Sequence, residues 1–369
     1  MKITGGRVFD LERGFVERDL CFDGEYLTAE SGDTRVFDAA GCYVIPGLTD
    51  IHFHGCRGAD FSDGTLEGLR TMAAYELSRG VTQICPAGMT LTEEQLTAVC
   101  KTAAAYRASG RDGAELVGIN LEGPFLSAAK KGAQNGEWLR EPDYGLFCRL
   151  MEASDRLVKL VSVAPELPGS MEFIRQASKD VTVSLAHTAA DYAAAQEAFR
   201  QGARHVTHLF NAMPPFTHRA PGVVGAALDC PECRVELICD GIHIHPAVVR
   251  AVFQMFGPDR VVLISDSMRA AGMPDGQYPL GGQEVTVRGA SATLSDGTLA
   301  GSVTDLMDCM RTAVSFGIPL ADAVRAAAVN PAKTVGVFDR VGSLEPGKLA
   351  NIAVLDGGLA LKAVFLRGV

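Results

Sequence analysis

The chain has 369 residues, 47% of them hydrophobic and 21% charged, and its formal net charge at pH 7 is -10. This length accommodates a full barrel and a small second unit, and the apolar fraction is ordinary for a soluble globular protein. The acidic balance argues against a nucleic-acid-binding surface, which is normally basic, but it leaves room for a locally positive pocket that takes a small anion.

Cysteine usage and the termini predict a cytoplasmic protein. Several of the ten cysteines, such as Cys85 and Cys239, lie inside apolar strand-like segments, where a free thiol packs as a small hydrophobe. The N-terminus lacks the apolar region of a signal peptide, and no apolar segment approaches the roughly eighteen residues that span a bilayer. Cys230 and Cys233 have the spacing of half a zinc site without a second pair, so we interpret them as free thiols on a loop.

The first 42 residues contain short strand-like segments separated by turns. The alternation of apolar and polar residues predicts strands within 2–9, 19–22 and 34–38. Glycine and aspartate lie between them, as expected of tight turns.

From residue 43 to residue 266, apolar segments alternate with alanine-rich amphipathic segments. Their nearly continuous apolar character is typical of parallel strands that are buried on both faces. The predicted strands are 43–51, 81–85, 115–121, 158–163, 181–186, 204–207, 234–239 and 261–265. The amphipathic segments between them, such as 93–109 and 190–202, each end near a glycine. Eight such units predict an α/β protein, namely a (β/α)8 TIM-like barrel.

The C-terminal part is predicted to contain two further helices and a second set of short strands. The helices are 304–316 and 320–329, the latter stopped by Asn330-Pro331. Residues 341–369 resemble the N-terminal segment in their short strand-like pieces. We therefore expect a small discontinuous β-sandwich domain, built from 1–42 plus 341–369, beside a barrel domain of 43–340.

Six residues of metal-ligand type follow or end the predicted strands: His52, His54, Glu122, His187, His208 and Asp266. Imidazole and carboxylate are ligands that zinc and iron use in hydrolytic sites. Residues i and i+2 of a strand point the same way, so the histidines of the H-x-H pair aim together into the barrel mouth, where barrel enzymes carry their chemistry. The pattern predicts a divalent metal centre, zinc or iron, that activates water for hydrolysis.

The six residues suggest two subsites and one proton carrier. Glu122, His187 and His208 supply three ligands and leave a position open for water, and the other three residues complete a second subsite that Glu122 bridges. One or two metal ions per subunit are therefore expected. Asp266 suits the catalytic acid/base role, which takes a proton from water and returns it to the leaving group. Its alternative role is a helix N-cap, but its position at a strand end favours catalysis.

Three further histidines lie near these strand ends. His205 precedes His208 by three residues, and we interpret it as a packing or supporting residue. His243 and His245 follow the seventh predicted strand, on a loop near the mouth. One of these two is expected to contact substrate or phosphate.

The motifs around these residues resemble one known family over almost the whole chain. The motif segments are 46–55 (PGLTDIHFHG), 121–126 (LEGPFL), 130–133 (KKGA), 186–188 (AHT), 207–213 (THLFNAM), 240–243 (DGIH) and 299–302 (LAGS). They resemble the amidohydrolase superfamily and, within it, the N-acetylglucosamine-6-phosphate deacetylase family. The resemblance implies metal-dependent hydrolysis of the N-acetyl group of N-acetylglucosamine 6-phosphate to glucosamine 6-phosphate and acetate.

The resemblance also implies roles for individual residues. Glu122, His187 and His208 would hold the catalytic metal, and Asp266 would be the acid/base. The residues expected to line the sugar-phosphate site are Ala133, Gln134, Asn211, Ala212, Asp240, His243, Leu299, Ala300 and Gly301. Arg219 matches a family arginine that reaches the phosphate from a neighbouring subunit, which implies a homodimer; a guanidinium fork pairs well with phosphate oxygens. No nucleic-acid or membrane partner is expected.

The chain departs from the family pattern at three places. Gln134 stands where many relatives have a histidine that polarises the acetyl carbonyl, and an amide donates a hydrogen bond but supplies no proton. Asn351 replaces a usual aspartate, which we interpret as structural. The fourth predicted strand ends at 163–166 without the lysine that bridges two metals in many amidohydrolases, so Glu122 takes the bridging role. This argues against the dihydroorotase and urease subtypes.

Three alternatives remain open at this stage. The nearest is deacetylation of the galactosamine epimer, N-acetylgalactosamine 6-phosphate. A more distant one is a deaminase or cyclic-amide hydrolase, against which the 207–213 motif argues. The last is a non-catalytic amidohydrolase-like assembly protein, which would be expected to have lost metal ligands.

Overall fold

A computed structural model describes residues 1–110 and 113–369. The strands in these residues are, in chain order, β1 (Lys2–Thr4), β2 (Arg7–Asp10), β3 (Gly14–Glu17), β4 (Leu20–Asp23), β5 (Tyr26–Thr28), β6 (Val36–Asp38), β7 (Tyr43–Pro46), β8 (Leu48–Asp50), β9 (Gly55–Cys56), β10 (Ala59–Asp60), β11 (Val81–Ile84), β12 (Ala87–Gly88), β13 (Glu115–Leu116), β14 (Ile119–Leu121), β15 (Val158–Val163), β16 (Thr182–Leu185), β17 (His205–Val206), β18 (Arg234–Ile238), β19 (Val261–Ile264), β20 (Gly276–Leu280), β21 (Gln283–Arg288), β22 (Ser291–Thr293), β23 (Ile352–Leu355) and β24 (Leu361–Phe365).

The helices pack between and around these strands. They are α1 (Leu66–Ser78), α2 (Glu93–Ser109), α3 (Tyr144–Ala153), α4 (Ser170–Ala177), α5 (Tyr192–Gln201), α6 (Gly222–Leu228), α7 (Pro246–Phe256), α8 (Leu306–Ser315), α9 (Leu320–Val324) and α10 (Asn330–Thr334). Three short 3-10 segments lie at Phe61–Asp63, Ala128–Lys130 and Gly136–Trp138, and a π-helical turn lies at Arg325–Val329.

Two parallel sheets form the centre of the molecule. One has seven strands in the order β12-β14-β15-β16-β17-β18-β19, and the other has the order β13-β11-β8. Backbone hydrogen bonds link the segment after β19 to the segment after β8: the Asp266 N–H donates to the His52 carbonyl at 2.9 Å, and the His54 N–H donates to the Ser267 carbonyl at 2.7 Å. The seven-stranded sheet is curled, and these bonds join the segment after its last strand, β19, to the segment after β8 of the three-stranded sheet.

The strands and helices follow from the patterns in the sequence. The residues of β11, β14 and β19 are all buried, in keeping with strands covered on both faces. Helix α7 begins with Pro246, which the first turn of a helix tolerates. Its buried residues Val249, Val252, Phe253 and Phe256 have the spacing of one apolar stripe. This stripe attaches the helix to the outside of the sheet.

The two chain termini build two further sheets that share a core. One sheet has the order β5-β4-β1-β6, and the other, β24-β23-β7-β2-β3, mixes N-terminal and C-terminal strands. Ile3, Val8, Phe22, Val44 and Ile352 belong to one buried cluster between them. Strand β7 pairs in parallel with β2 and antiparallel with β23.

The predicted strand 43–51 is therefore split, which corrects the sequence prediction. Its first half, β7, lies in the terminal sheet, and its second half, β8, lies in the parallel sheet. The division falls at Gly47, where an added Cβ would lie 2.1 Å from the Thr82 hydroxyl oxygen. The chain can pass this close to the neighbouring strand because glycine has no side chain.

The antiparallel sheet β20-β21-β22 was not predicted from the sequence. It has its own buried cluster, which includes Met89, Met268, Leu280 and Val285. Its amide side chain Gln283 donates a hydrogen bond from Nε2 to the carbonyl of Ala133 at 2.6 Å. A weak sequence signal is present, since polar and apolar residues alternate over 284–288, after the glycine pair at 281–282.

The prediction that Asn330-Pro331 stops the last helix is wrong. Helix α9 continues through the π-helical turn into α10, which has a proline in its first turn. Pro331 has no N–H to continue the hydrogen-bond ladder of an α-helix, and the π-helical turn lies directly before α10. The Asn330 side chain donates to the carbonyls of Pro258 and Val261, both at 2.7 Å, so tertiary contacts hold the helix across the junction.

Across residues 1–110 and 113–369, no helix has both the length and the apolar character needed to cross a membrane. All ten cysteines are free, and Cys85 and Cys239 are buried, as predicted.

Candidate metal centre and substrate cavity

The six predicted ligand-type residues come together at the carboxyl ends of the parallel strands. They form two groups: His52, His54 and Asp266, and Glu122, His187 and His208. Within each group the potential ligand atoms lie within 4.8 Å of one another. We name the first group the seam triad, because its residues follow β8 and β19 where the sheet ends meet. The second is the central triad.

The Glu122 carboxylate lies at the centre of the four imidazoles. Its Oε1 atom is 3.0 Å from His208 Nε2, 3.2 Å from His187 Nε2 and 3.3 Å from His52 Nε2. Its Oε2 atom is 3.3 Å from His54 Nε2. One carboxylate thus touches both triads, which is the arrangement expected of a bridging ligand.

Hydrogen bonds to the other ring nitrogens orient the imidazoles. His54 Nδ1 lies 3.1 Å from the Ala87 carbonyl, and His187 Nδ1 lies 2.9 Å from the Lys130 carbonyl. Because a carbonyl only accepts, each Nδ1 carries a proton. In the neutral ring the Nε2 lone pair then points towards the Glu122 carboxylate.

The imidazole Nε2 atoms and the Glu122 carboxylate oxygens all present lone pairs to the same small region, and a cation bound there would offset their mutual repulsion. The Nε2 atoms of His187 and His208 are 3.1 Å apart, and both face Glu122. His52 Nε2 is buried and has no hydrogen-bond partner among the residues that the structure describes. A buried polar atom without a partner is costly, and a divalent metal ion would satisfy these atoms together. The donor set therefore fits a divalent metal.

The buried carboxylates and imidazoles shift each other's pKa values in opposite directions. Burial raises the pKa of Glu122, but the neighbouring imidazoles, His52 first, outweigh burial and hold the pKa well below its usual value. Burial lowers the pKa of His52, but the carboxylates of Glu236 and Glu122 raise it well above its usual value. Burial also lowers the pKa of His54, but Asp266 and Glu122 outweigh burial and raise the pKa to about 10. Protons and a metal ion compete for the same nitrogens, so metal binding releases protons.

Backbone strain is concentrated at the same strand ends. His187, His208 and Asp266 have φ values of 42°, 28° and 49°, and nearby Ala212 has 52°. Non-glycine residues with such values are uncommon, and each costs about 1–3 kcal/mol. Residues held in this conformation cluster at functional sites, so the strain supports the assignment of the site to this face of the sheet.

A cavity of about 540 Å³ opens above the two triads. It is lined by five of the six ligand-type residues, since His52 is fully buried below it. The predicted substrate residues that line it are Ala133, Gln134, Asn211, Ala212, His243, Leu299 and Gly301.

The other predicted substrate residues lie around this lining. Asp240 lies behind His243, with its Oδ2 atom 2.7 Å from His243 Nδ1. Ala300 is fully buried in the cluster beneath β20–β22. Arg219 is on the exposed loop that follows Ala212. Of these three, Asp240 acts on the cavity through its neighbour.

The Asp240–His243 pair favours the protonated form of an imidazole at the cavity. Burial lowers the pKa of His243, but the hydrogen bond and charge of Asp240 outweigh it and raise the pKa. Burial raises the pKa of Asp240, and His243 in turn lowers it. The other loop histidine, His245, is exposed and caps the N-terminus of α7. Of the two loop histidines, His243 is the one that lines the cavity.

Gln134 is fully engaged by protein atoms. Its Nε2 donates to Glu122 Oε2 at 2.8 Å, and its Oε1 accepts the backbone N–H of Thr90 at 2.7 Å. The residue is 2% exposed. Its amide donor is thus directed at the central carboxylate, although the residue lines the cavity.

Sequence reasoning missed several residues of the site. Lys130 and Lys131 line the cavity, together with Met89, Leu280, Asp296 and Thr298. The lysines belong to the 130–133 motif, but the motif by itself predicts no role for them. Glu236, whose carboxylate contacts His52, was also missed. Its signal is a charged residue between two apolar residues in the interior of β18, whose other charged residue, Arg234, stands at the strand start.

Comparison with known proteins agrees with this geometry. The model of the amidohydrolase family matches residues 43–368. N-acetylglucosamine-6-phosphate deacetylase of Bacillus subtilis (strain 168) is 40% identical over 334 residues, which cover 89% of this chain and 84% of the relative. N-acetylgalactosamine-6-phosphate deacetylase of Escherichia coli O157:H7 is 34% identical over 348 residues, covering 94% and 92%.

A solved structure extends the agreement to the whole fold. A mutant N-acetyl-D-glucosamine-6-phosphate deacetylase from Mycobacterium smegmatis, in complex with N-acetyl-D-glucosamine-6-phosphate, superposes with a TM-score of 0.94 at 33% identity. The match covers 100% of this chain and 98% of that chain. The chain therefore belongs to the amidohydrolase family and, within it, to the N-acetylglucosamine-6-phosphate deacetylase family.

Proposed function

We propose that this protein hydrolyses the N-acetyl group of N-acetylglucosamine 6-phosphate to glucosamine 6-phosphate and acetate. The observation that carries the proposal is the convergence of four imidazole Nε2 atoms on Glu122 beneath a cavity that Asp266 also lines. The names of the relatives supply the class of substrate.

The two triads are proposed to hold one or two divalent metal ions, zinc or iron. Glu122, His187 and His208 would hold the catalytic metal, and His52 and His54 would hold a second one that Glu122 bridges. When bound, the metal activates water and polarises the substrate carbonyl.

Asp266 is proposed to move the proton. Burial raises its pKa, but the hydrogen bond with His54 and the charge of His52 outweigh burial and keep the pKa below its usual value. The carboxylate form is the one that accepts a proton from the attacking water. The water oxygen bonds to the acetyl carbon, the carbon–nitrogen bond breaks, and Asp266 returns the proton to the departing amine.

The cavity offers positive charge to a phosphate although the chain as a whole is acidic. Lys130, Lys131 and His243 line it. Asn211 and Ala212, with the Leu299–Gly301 segment, are proposed to contact the sugar. Arg219 is proposed to reach the phosphate in the neighbouring subunit of a homodimer, which suits its exposed loop position.

The architecture around the site carries three further proposals. The two parallel sheets are proposed to close as one (β/α)8 TIM-like barrel, since hydrogen bonds join the segments after β8 and β19. The terminal sheets are proposed to form a β-sandwich domain of 1–42 plus 341–369 beside the barrel domain of 43–340, except that β7, at the start of that barrel segment, pairs into the sandwich. A cytoplasmic location stays a prediction from the sequence.

Acetate release tests the proposed function. Metal-loaded protein should release acetate from N-acetylglucosamine 6-phosphate, and Asp266→Asn should lower the rate by roughly 10²–10⁴-fold, as loss of a general acid/base does. The galactosamine epimer is assayed in parallel, because the E. coli relative is named for it. Faster turnover of that epimer would favour the alternative substrate, and no acetate from either would refute the proposal.

A further inference from the structure

Strand β18 carries a buried carboxylate next to the metal centre. Val235 and Leu237 flank Glu236, and all three side chains are fully buried. Removing a carboxylate from water costs several kcal/mol unless it gains good partners. The partners that Glu236 gains in the protein therefore have to offset the cost of burying its carboxylate.

One oxygen of Glu236 contacts a residue of each triad. Its Oε2 atom lies 2.8 Å from His52 Nδ1 and accepts the backbone N–H of His208 at 3.1 Å. On the other side, His205 Nε2 lies 3.9 Å from Glu236 Oε1. At 2.8 Å against 3.9 Å, the close imidazole partner of Glu236 is thus His52.

We propose that Glu236 is a positioning residue that fixes His52 as a metal ligand and so sets the affinity of the seam triad for a divalent metal. By accepting the Nδ1 proton, the carboxylate orients the ring so that Nε2 faces Glu122 and Asp266, at 3.3 and 3.7 Å. A carboxylate behind a histidine ligand fixes its tautomer and raises its basicity. This inference rests on the proposed function only in assuming that the triads bind metal.

His52 differs in this support from the other oriented histidines, His54 and His187, which rest on main-chain carbonyls. His187 is oriented by the main-chain carbonyl of Lys130, whereas His52 is oriented by a side chain. A substitution at residue 236 can therefore separate the two triads. The contact with the His208 N–H predicts a smaller effect on the central triad.

The test measures metal binding to the full-length protein, with Co²⁺ as the probe. Equilibrium dialysis gives the bound equivalents, and the visible absorption of bound Co²⁺ reports its coordination. Glu236→Leu should weaken binding at the seam triad by about 10–100-fold and at the central triad by much less. Glu236→Gln keeps an oxygen that accepts both N–H groups, so it should restore most of the affinity.

The His52→Ala background supplies the control. Adding Glu236→Leu to it should leave the remaining metal equivalent nearly unchanged, because the ligand through which Glu236 acts is gone. Four results would each overturn the proposal. Glu236→Leu could weaken metal binding equally at both triads, or could cause the same loss of affinity in the His52→Ala background. Glu236→Gln could bind metal as weakly as Glu236→Leu, or His52→Ala could leave the wild-type metal stoichiometry unaltered. Absence of acetate release is read in a separate assay and would count against the proposed function instead.

Discussion

The seam triad and the central triad use the same ligand types but are held in different ways. His52 is fully buried and rests on the Glu236 side chain, whereas His187 and His208 have left-handed backbones and open onto the cavity. The difference indicates a division of labour. The central triad is proposed to hold the metal next to substrate, whereas the seam triad combines a ligand buried below the cavity, His52, with the proposed proton carrier Asp266.

The largest effect is expected where the two triads meet. Glu122→Gln removes the negative charge that four Nε2 atoms share, so metal content should fall from the wild-type value to near zero and activity should be lost with it. Metal analysis of the dialysed protein measures this. Glu76→Gln is the matched control, since Glu76 is also fully buried but lies in α1, outside both triads. Retention of one full metal equivalent in Glu122→Gln would show that the triads are independent.

The second effect separates the triads directly. His187→Asn should remove the metal next to substrate, which supplies several kcal/mol of transition-state stabilisation, so turnover should fall roughly a hundredfold or more. His54→Asn should lower the metal content by one equivalent and leave more of the turnover. Metal content and kcat of both variants are compared, with exposed His245→Asn as the control. A greater loss of kcat in His54→Asn would reverse the division of labour.

The third effect concerns the support of the central carboxylate. Gln134→Leu leaves the Thr90 N–H and one Glu122 oxygen without their amide partner, which should cost about 1–3 kcal/mol of folding free energy and weaken metal binding. Chemical denaturation and metal titration measure the two consequences. Gln134→His is the informative companion, because it introduces the residue of many relatives. Unchanged stability and metal affinity in Gln134→Leu would contradict a supporting role and return Gln134 to substrate contact alone.

The smallest effect is a shift in pH dependence at the cavity. Because Asp240 raises the pKa of His243, the imidazolium should persist above its usual range, and KM for the anionic substrate should rise as pH rises through that raised pKa. Asp240→Asn should move this rise to lower pH. By linkage, the pair's contribution to stability is present below the unfolded pKa of histidine and is lost as pH rises through the folded pKa. A KM profile identical in both proteins would remove His243 from substrate binding.

The candidate site was predictable to a large extent because its ligands follow apolar strands. His52, His54, Glu122, His187 and Asp266 each stand at or near the end of such a segment, and parallel strands end on one face. The supporting residues were not predictable in the same way. Glu236 contributes through a contact with a residue 184 positions away in sequence, and sequence spacing carries no information about such a contact.

Fold predictions failed where tertiary contacts overrule local signals. The local sequence Asn330-Pro331 predicts the end of a helix, but the helix continues past this pair, and hydrogen bonds from the Asn330 side chain stabilise it there. The apolar segment 43–51 reads as one strand, but close approach at Gly47 divides it between two sheets. The β20–β22 sheet was missed because its strands alternate weakly and are stabilised by packing on Met89 and Met268.

The sequence by itself determined the strand-and-helix alternation, the ligand types and the class of chemistry, because hydrophobic periodicity and donor chemistry are local properties. The tertiary structure alone decided which atoms meet: the four imidazoles around Glu122, the carboxylate behind His52, and an amide at Gln134 that is directed at a ligand. These depend on the register and curl of the parallel sheet, which bring together residues far apart in the chain.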